Sequence, residues 1–307
     1  MINNGYEQSG NIKMKWKKRL IKMGIVLITI IAVLLAILFV SWQIWKGELK
    51  VECFSCERDN LKISGTIFLP EDCSQELSTV IISHEFMANQ LFSYPYAKAL
   101  ASEGYAVFCF DFCGGGVVSS SDGKSTDMSV LTEKEDLQVV IAYAKSQDYV
   151  DENKITLLGC SQGGFVSAIV AAEQLEEIKS LILLYPALSI PEGACAGHML
   201  WAEFNPENIP ATFYCSVMKL GRRYAADVQD MDAYEEIKGY TGNVLIIHGD
   251  EDNLVNISGS EKALLVYEES GASAKLVTVS GAGHIFFKEK HREQAISDIL
   301  SFLKAEE

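Results

Sequence analysis

The sequence predicts an α/β architecture: a mostly parallel central sheet flanked by helices, with an inserted cap at about 186–237 and one membrane helix ahead of it at 23–45. Three observations lead there. Short apolar runs alternate with longer segments at helical spacing from residue 48 to the C-terminus, the signature of a sheet whose faces are both covered by helices. That rhythm breaks once, in a stretch holding four of the six prolines, too long for an ordinary connection. The 23 residues from 23 to 45 carry no charge. At 1.5 Å per helical residue they cover about 30 Å of hydrocarbon.

Taken in order, residues 1–22 form a basic tail with six Lys or Arg against Glu7 alone. The segment after the apolar run, 46–59, balances three bases with four acids. The charge asymmetry keeps the N-terminus cytoplasmic and exports the rest. Trp16, Trp42 and Trp45 fall where the two interfaces belong. A cleaved signal peptide would have a shorter apolar core and a small-residue cleavage site, whereas this run ends in Ser41-Trp42-Gln43-Ile44-Trp45. Lys50, Val51 and Glu52 likewise argue against a lipid anchor on Cys53. Of the net charge of −15, the tail contributes +5, leaving −20 on everything that follows. So acidic a domain is a poor partner for nucleic acid.

Within 48–307 strands are expected at 50–56 and 61–68, around an Asp59-Asn60 turn, and at 79–83, 105–111, 154–158, 180–184, 243–247 and 275–279. Helices are expected at 94–102, 130–146, 162–173 and 292–304; in the second, Leu131, Leu137, Val140, Ile141 and Ala144 recur at helical spacing. The eight cysteines do not read as a disulfide framework. Cys53 and Cys56, three residues apart on a strand, are separated by about 10 Å, beyond disulfide reach. A zinc site would need a better second pair than Cys109 with Cys113. Only Cys195 and Cys215, in the loop-rich cap, are left as a bridge to be tested.

The chemistry is concentrated where strand 154–158 runs into Gly159-Cys160-Ser161-Gln162-Gly163-Gly164 and then into a helix. This is G-x-S-x-G in its strand-turn-helix setting: small neighbours allow the sharp turn, and the helix N-terminus favours developing negative charge. A serine hydroxyl needs a base, and the base an acid to orient it. His284 follows strand 275–279 in Ser280-Gly281-Ala282-Gly283-His284, and the acids Asp250 and Asp252 follow strand 243–247. Parallel strands deliver all three loops to one edge of the sheet. His84 and His248 end strands and read as structural, His198 falls in the cap and His291 opens the last helix, so His284 is the base.

On these motifs residues 48–307 resemble the α/β-hydrolases, in particular small feruloyl (cinnamoyl) esterases and their serine-aminopeptidase-like and monoacylglycerol-lipase-like relatives. The resemblance implies Asp252 as the acid, through H-G-x-x-D-x-x-V over His248 to Val255, with Asp250 in reserve. It implies backbone N–H groups of Gln162 and Phe86 as the oxyanion donors, the latter in His84-Glu85-Phe86. Asp111-Phe112-Cys113-Gly114-Gly115-Gly116 resembles the D-x-R-G-x-G turn and is no phosphate cradle. Two residues depart from the pattern: Glu85 stands in place of glycine and Cys113 in place of arginine. The Glu85 carboxylate is expected to turn away from the oxyanion, into a salt bridge. The function implied is a membrane-anchored serine hydrolase cleaving carboxylic esters of hydroxycinnamoyl or short acyl type, without cofactor or metal. The alternatives are a serine peptidase and an inactive binding module.

Overall fold

The structure, a computed structural model, describes residues 49–306. The basic tail and the membrane helix expected at 23–45 lie outside the described residues, and among the described residues no helix is long and apolar enough to cross a membrane.

Twelve strands are described. Eight form one sheet in the order β1-β2-β4-β3-β5-β6-β11-β12. These are Leu49–Arg58 (β1), Leu61–Pro70 (β2), Leu77–Ser83 (β3), Ala106–Phe110 (β4), Val150–Cys160 (β5), Ser180–Leu184 (β6), Asn243–Gly249 (β11) and Ser273–Val279 (β12). Only β2 runs against its neighbours; from β4 to β12 every pairing is parallel. The β1–β2 hairpin turns on Asp59 and Asn60, both at positive φ, a region that Asn and Asp enter more readily than most residues.

Strand alternation divides the core into two layers. On one face Ile81, Phe108, Leu157, Leu183 and Ile246 share a cluster with Leu137, Val140, Val166 and Ile169 of the helices Val130–Lys145 (α2) and Gln162–Glu173 (α3). The alternate residues Val80, Ile82, Val107, Leu158, Ile182 and Ile247, also buried, point the other way. The helices Tyr94–Ser102 (α1) and Glu289–Lys304, which touch each other, pack on that side. Ser129 caps α2: its Oγ accepts the Thr132 N–H, and the Thr132 side chain returns to the Ser129 N–H, which satisfies two amides a helix start leaves free.

Three features differ from the sequence reading. β5 starts at Val150, four residues early, because Asp151 to Lys154 are polar and carry no apolar alternation. The helix Ser258–Glu269 was not expected: its buried face is Ser260, Ala263 and Tyr267, while Leu265 of its apolar run is exposed. The insertion after β6 is more ordered than a loop-rich cap. It holds a helix Ile190–Ala196 (α4), two small hairpins, His198–Met199 (β7) with Ala202–Glu203 (β8) and Thr212–Cys215 (β9) with Met218–Gly221 (β10), and the helical turns Arg223–Ala226 (α5) and Ala233–Glu236. Within it Cys195 is an exposed free thiol and Cys215 a buried one turned toward the Met199 carbonyl, so no bridge joins them.

Candidate active site

Ser161 sits between β5 and α3 with φ +52° and ψ −115°, a strained conformation for a non-glycine residue. Its surroundings over-determine it: its N–H donates to Leu184 O at 2.9 Å, and its carbonyl accepts from Gly164 N and Ala187 N at 3.0 and 2.9 Å. The flanking glycines are steric requirements. A Cβ on Gly159 would lie 2.3 Å from Gly163 O, and one on Gly163 would lie 2.4 Å from Ser83 O and 2.5 Å from His84 O. The turn carrying Ser161 is thus pressed against the end of β3, and that contact fixes the distance between Ser161 and the loop carrying Phe86.

The loops after β11 and β12 are bonded to each other, Glu251 N–H to Ala282 O at 3.0 Å. This brings Asp252 and His284 together. His284 Nε2 lies 2.9 Å from Ser161 Oγ, and its Nδ1 lies 2.7 Å from Asp252 Oδ2. Asp252 Oδ1 accepts from the N–H groups of Leu254 and Val255, both at 2.9 Å. Burial works against charge at Asp252, but hydrogen bonds from His248, His284 and Val255 outweigh it and hold the carboxyl well below the usual carboxylate range. Asp250, the reserve acid, does not reach His284; its Oδ1 accepts the Gly281 N–H at 2.6 Å and ties the two loops together.

His248, read from the sequence as structural, supports the acid. Its Nδ1 is 2.7 Å from Ser260 Oγ, and its Nε2 is 3.0 Å from Val255 O and 3.2 Å from Asp252 Oδ2. Because Nε2 faces two acceptors, the carbonyl and the carboxylate, it carries a proton shared between them. The signal in the sequence was its i−4 spacing from Asp252.

Phe86 and Gln162 line the same cavity as Ser161 and His284, a space of about 890 Å³ whose walls also include Met199, Leu200, Trp201, Leu254 and Phe287. Burial keeps His84 neutral by lowering its pKa. Its Nδ1–H donates to Glu85 O at 2.7 Å while Nε2 accepts the Phe112 N–H at 3.2 Å, which holds the Phe86 loop on the end of β4. Asp111 secures the same loop from below, taking Gln90 N–H and Ser120 N–H on its two oxygens at 2.7 and 2.6 Å.

Glu85 departs from the expectation. It makes no ion pair among the described residues; it is buried and also lines the cavity, its Oε1 accepting from Tyr185 OH at 3.0 Å. Tyr185, at φ +40°, lies with its ring centroid 4.8 Å from that of His284. Where the sequence replaces arginine by Cys113, the Cys113 N–H donates to Asp136 Oδ2 at 2.8 Å, and Arg58 on β1 supplies a guanidinium to Asp136 Oδ1 at 2.6 Å. Among the described residues no group of three or more His, Cys, Asp and Glu is placed to hold a metal ion.

A serine on a strained turn, hydrogen-bonded to a histidine that is itself bonded to a buried carboxylate, is suited to acyl transfer. Comparison with known proteins agrees with that chemistry. The solved structure of Est1E from Butyrivibrio proteoclasticus with ferulic acid bound superposes with a TM-score of 0.75 at 29% identity, covering 82% of this chain and 99% of that one. A monoacylglycerol lipase from Mycolicibacterium smegmatis is 22% identical over 250 residues, 73% of this chain and 87% of the lipase. The uncharacterized protein YfhR of Escherichia coli O157:H7 is 25% identical over 256 residues, 80% of this chain and 79% of that one. The model of the prolyl oligopeptidase family matches residues 91–306. The chain therefore belongs to the prolyl oligopeptidase family, and with it to the α/β-hydrolase superfamily of serine hydrolases.

Proposed function

We propose that the chain is a membrane-anchored serine hydrolase that cleaves carboxylic esters through an acyl-enzyme on Ser161. The observation that carries the reading is the continuous line Ser161–His284–Asp252, at 2.9 and 2.7 Å, opening onto the cavity. In this mechanism His284 Nε2 takes the Ser161 proton as Oγ bonds to the ester carbon. The carbonyl oxygen becomes an oxyanion facing the N–H groups of Gln162 and Phe86. Collapse breaks the bond to the alkoxy oxygen, which leaves with the proton held on Nε2. Water then repeats the sequence on the acyl-enzyme, giving the acid and restoring Ser161. Asp252 fixes the imidazole tautomer and balances the imidazolium charge.

The acyl group proposed is a hydroxycinnamoyl or short acyl chain. The apolar walls of the cavity suit it, and Est1E, bound to ferulic acid, supplies the comparison. A second reading, hydrolysis of short peptides, is favoured by the family match alone. A panel of methyl hydroxycinnamates, p-nitrophenyl acyl esters and aminoacyl-p-nitroanilides separates the two. The expected result is a kcat/KM for the esters at least about a hundredfold above that for the anilides; the reverse ranking overturns the ester assignment.

The uncharged run 23–45 behind a basic tail supports a single-pass anchor with the catalytic domain outside the cytoplasm. The exposed thiol of Cys195 gives the test. A membrane-impermeant maleimide added to intact cells should label Cys195, and its protection until the cells are lysed would invert the orientation.

A further inference from the structure

Glu133 is a carboxyl that the mechanism above does not use. It lies in the first turn of α2 and is 1% exposed. Its Oε2 accepts the side-chain Nε2–H of Gln162 at 2.7 Å, and its Oε1 has no partner among the described residues. The Gly115 turn closes on it so tightly that a Cβ there would sit 2.8 Å from Oε1. The other end of the same amide is also held, because Gln162 Oε1 accepts from Tyr224 OH at 2.6 Å. Tyr224 belongs to α5 of the cap, is fully buried, and its ring centroid is 5.2 Å from that of Phe86. One chain of contacts, Glu133–Gln162–Tyr224–Phe86, thus joins the two residues proposed above as the oxyanion donors.

We propose that Glu133, in its protonated form, is a positioning residue that holds Gln162, and through Tyr224 the Phe86 loop, in the geometry the oxyanion requires, and that its ionisation lowers turnover at alkaline pH. This rests on the ester-hydrolase reading above. The groups around Glu133 give the direction. On its own helix Asp136, a like charge, is engaged by Arg58 from β1 and by the Cys113 N–H. From the cap come Tyr224, kept neutral by burial, and Asp227, which accepts the Ser129 hydroxyl and pairs with Arg223. From α3 comes Gln162, which is neutral. No cation among these bonds to Glu133. Burial pushes its pKa up to about 8, the Gln162 hydrogen bond opposes this and the Asp136 charge adds to it. At neutral pH the carboxyl is uncharged. Above pH 8 a buried carboxylate behind Gln162 has the same sign as the developing oxyanion, in a setting where water screens little.

The test is the pH dependence of kcat and KM for p-nitrophenyl acetate from pH 6 to 10, on the full-length protein in detergent. The wild type should lose about tenfold or more in kcat above an apparent pKa near 8. Glu133→Gln keeps an acceptor for Gln162 but cannot ionise, and should show no alkaline fall. At pH 7 it should turn over about tenfold faster than Glu133→Ala, with KM changed by less than about threefold. Tyr224→Phe, which removes only the hydroxyl, should lower kcat about tenfold at pH 7. An alkaline fall that persists unchanged in Glu133→Gln overturns the proposal, as does a kcat in Tyr224→Phe equal to the wild type. If Glu133→Ala does not fold, those two variants decide. A wild type inactive on every ester would fail the ester reading instead, whereas an active wild type with an unmoved profile fails this inference alone.

Discussion

Replacing Asp252 by asparagine isolates the role of one oxygen. Four donors meet this carboxylate: the amides of Leu254 and Val255 on Oδ1, and His248 Nε2 and His284 Nδ1 on Oδ2. An amide has one oxygen to offer. If it stays with the two backbone N–H groups, the NH₂ takes the Oδ2 position, 2.7 Å from His284 Nδ1. The ring must then accept at Nδ1 and carry its proton on Nε2, the atom that has to receive the Ser161 proton. If the amide turns over, both backbone donors lose their acceptor, at about 1–3 kcal/mol for the buried Val255 N–H alone. The first arrangement is therefore preferred, and it is inactive. We expect kcat/KM to fall roughly 10⁴-fold, about 5 kcal/mol of transition-state stabilisation. Asp250→Asn is the control: its oxygen can still accept the Gly281 N–H, so a change of about twofold or less is expected. The assay is steady-state hydrolysis of p-nitrophenyl acetate, with circular dichroism to confirm folding. An Asp252→Asn enzyme within tenfold of wild type, or a larger loss in Asp250→Asn, would refute the reasoning.

Two further predictions concern stability. Gly163→Ala sets a methyl 2.4 and 2.5 Å from two backbone carbonyls that cannot rotate away, and should cost about 2 kcal/mol or more, read as a lowered urea midpoint. It should also depress turnover, because those carbonyls begin the Phe86 loop; an unchanged midpoint and rate would show that the contact is not tight. For Glu133 the sign follows from a folded pKa raised to about 8. The unfolded chain releases this proton near pH 4.3 while the native state keeps it, so Glu133 makes the fold less stable as pH rises from about 4.5 to 8, by about 4 kcal/mol in all. Glu133→Gln should lose that pH dependence, and parallel wild-type and variant stability profiles over this range would contradict it.

Much of this was legible in the sequence because the signals were local. The central strands β3, β4, β6 and β11 are short apolar runs, and Ser161, Asp252 and His284 each sit in a loop whose glycines announce a tight turn. The helix Ser258–Glu269 was lost because its buried face is Ser260, Ala263 and Tyr267, whereas Leu264-Leu265-Val266 points around three sides of the helix and blurs the period. The fate of Glu85 was out of reach for a different reason: its partner Tyr185 is 100 residues away, and only the fold brings them together. Glu133 did leave a trace, since it lies four residues before Leu137 on the buried stripe of α2, an acidic residue where the pattern calls for an apolar one.

The central claim is that Ser161 is a nucleophile activated by His284. Its most direct test is covalent: incubate the full-length protein with a fluorophosphonate and map the adduct by peptide mass spectrometry. The account predicts a single stoichiometric phosphonyl adduct on Ser161, absent from Ser161→Ala and slowed at least about a hundredfold in His284→Ala. A wild-type protein that stays unlabelled, or an adduct that persists in Ser161→Ala, would contradict it.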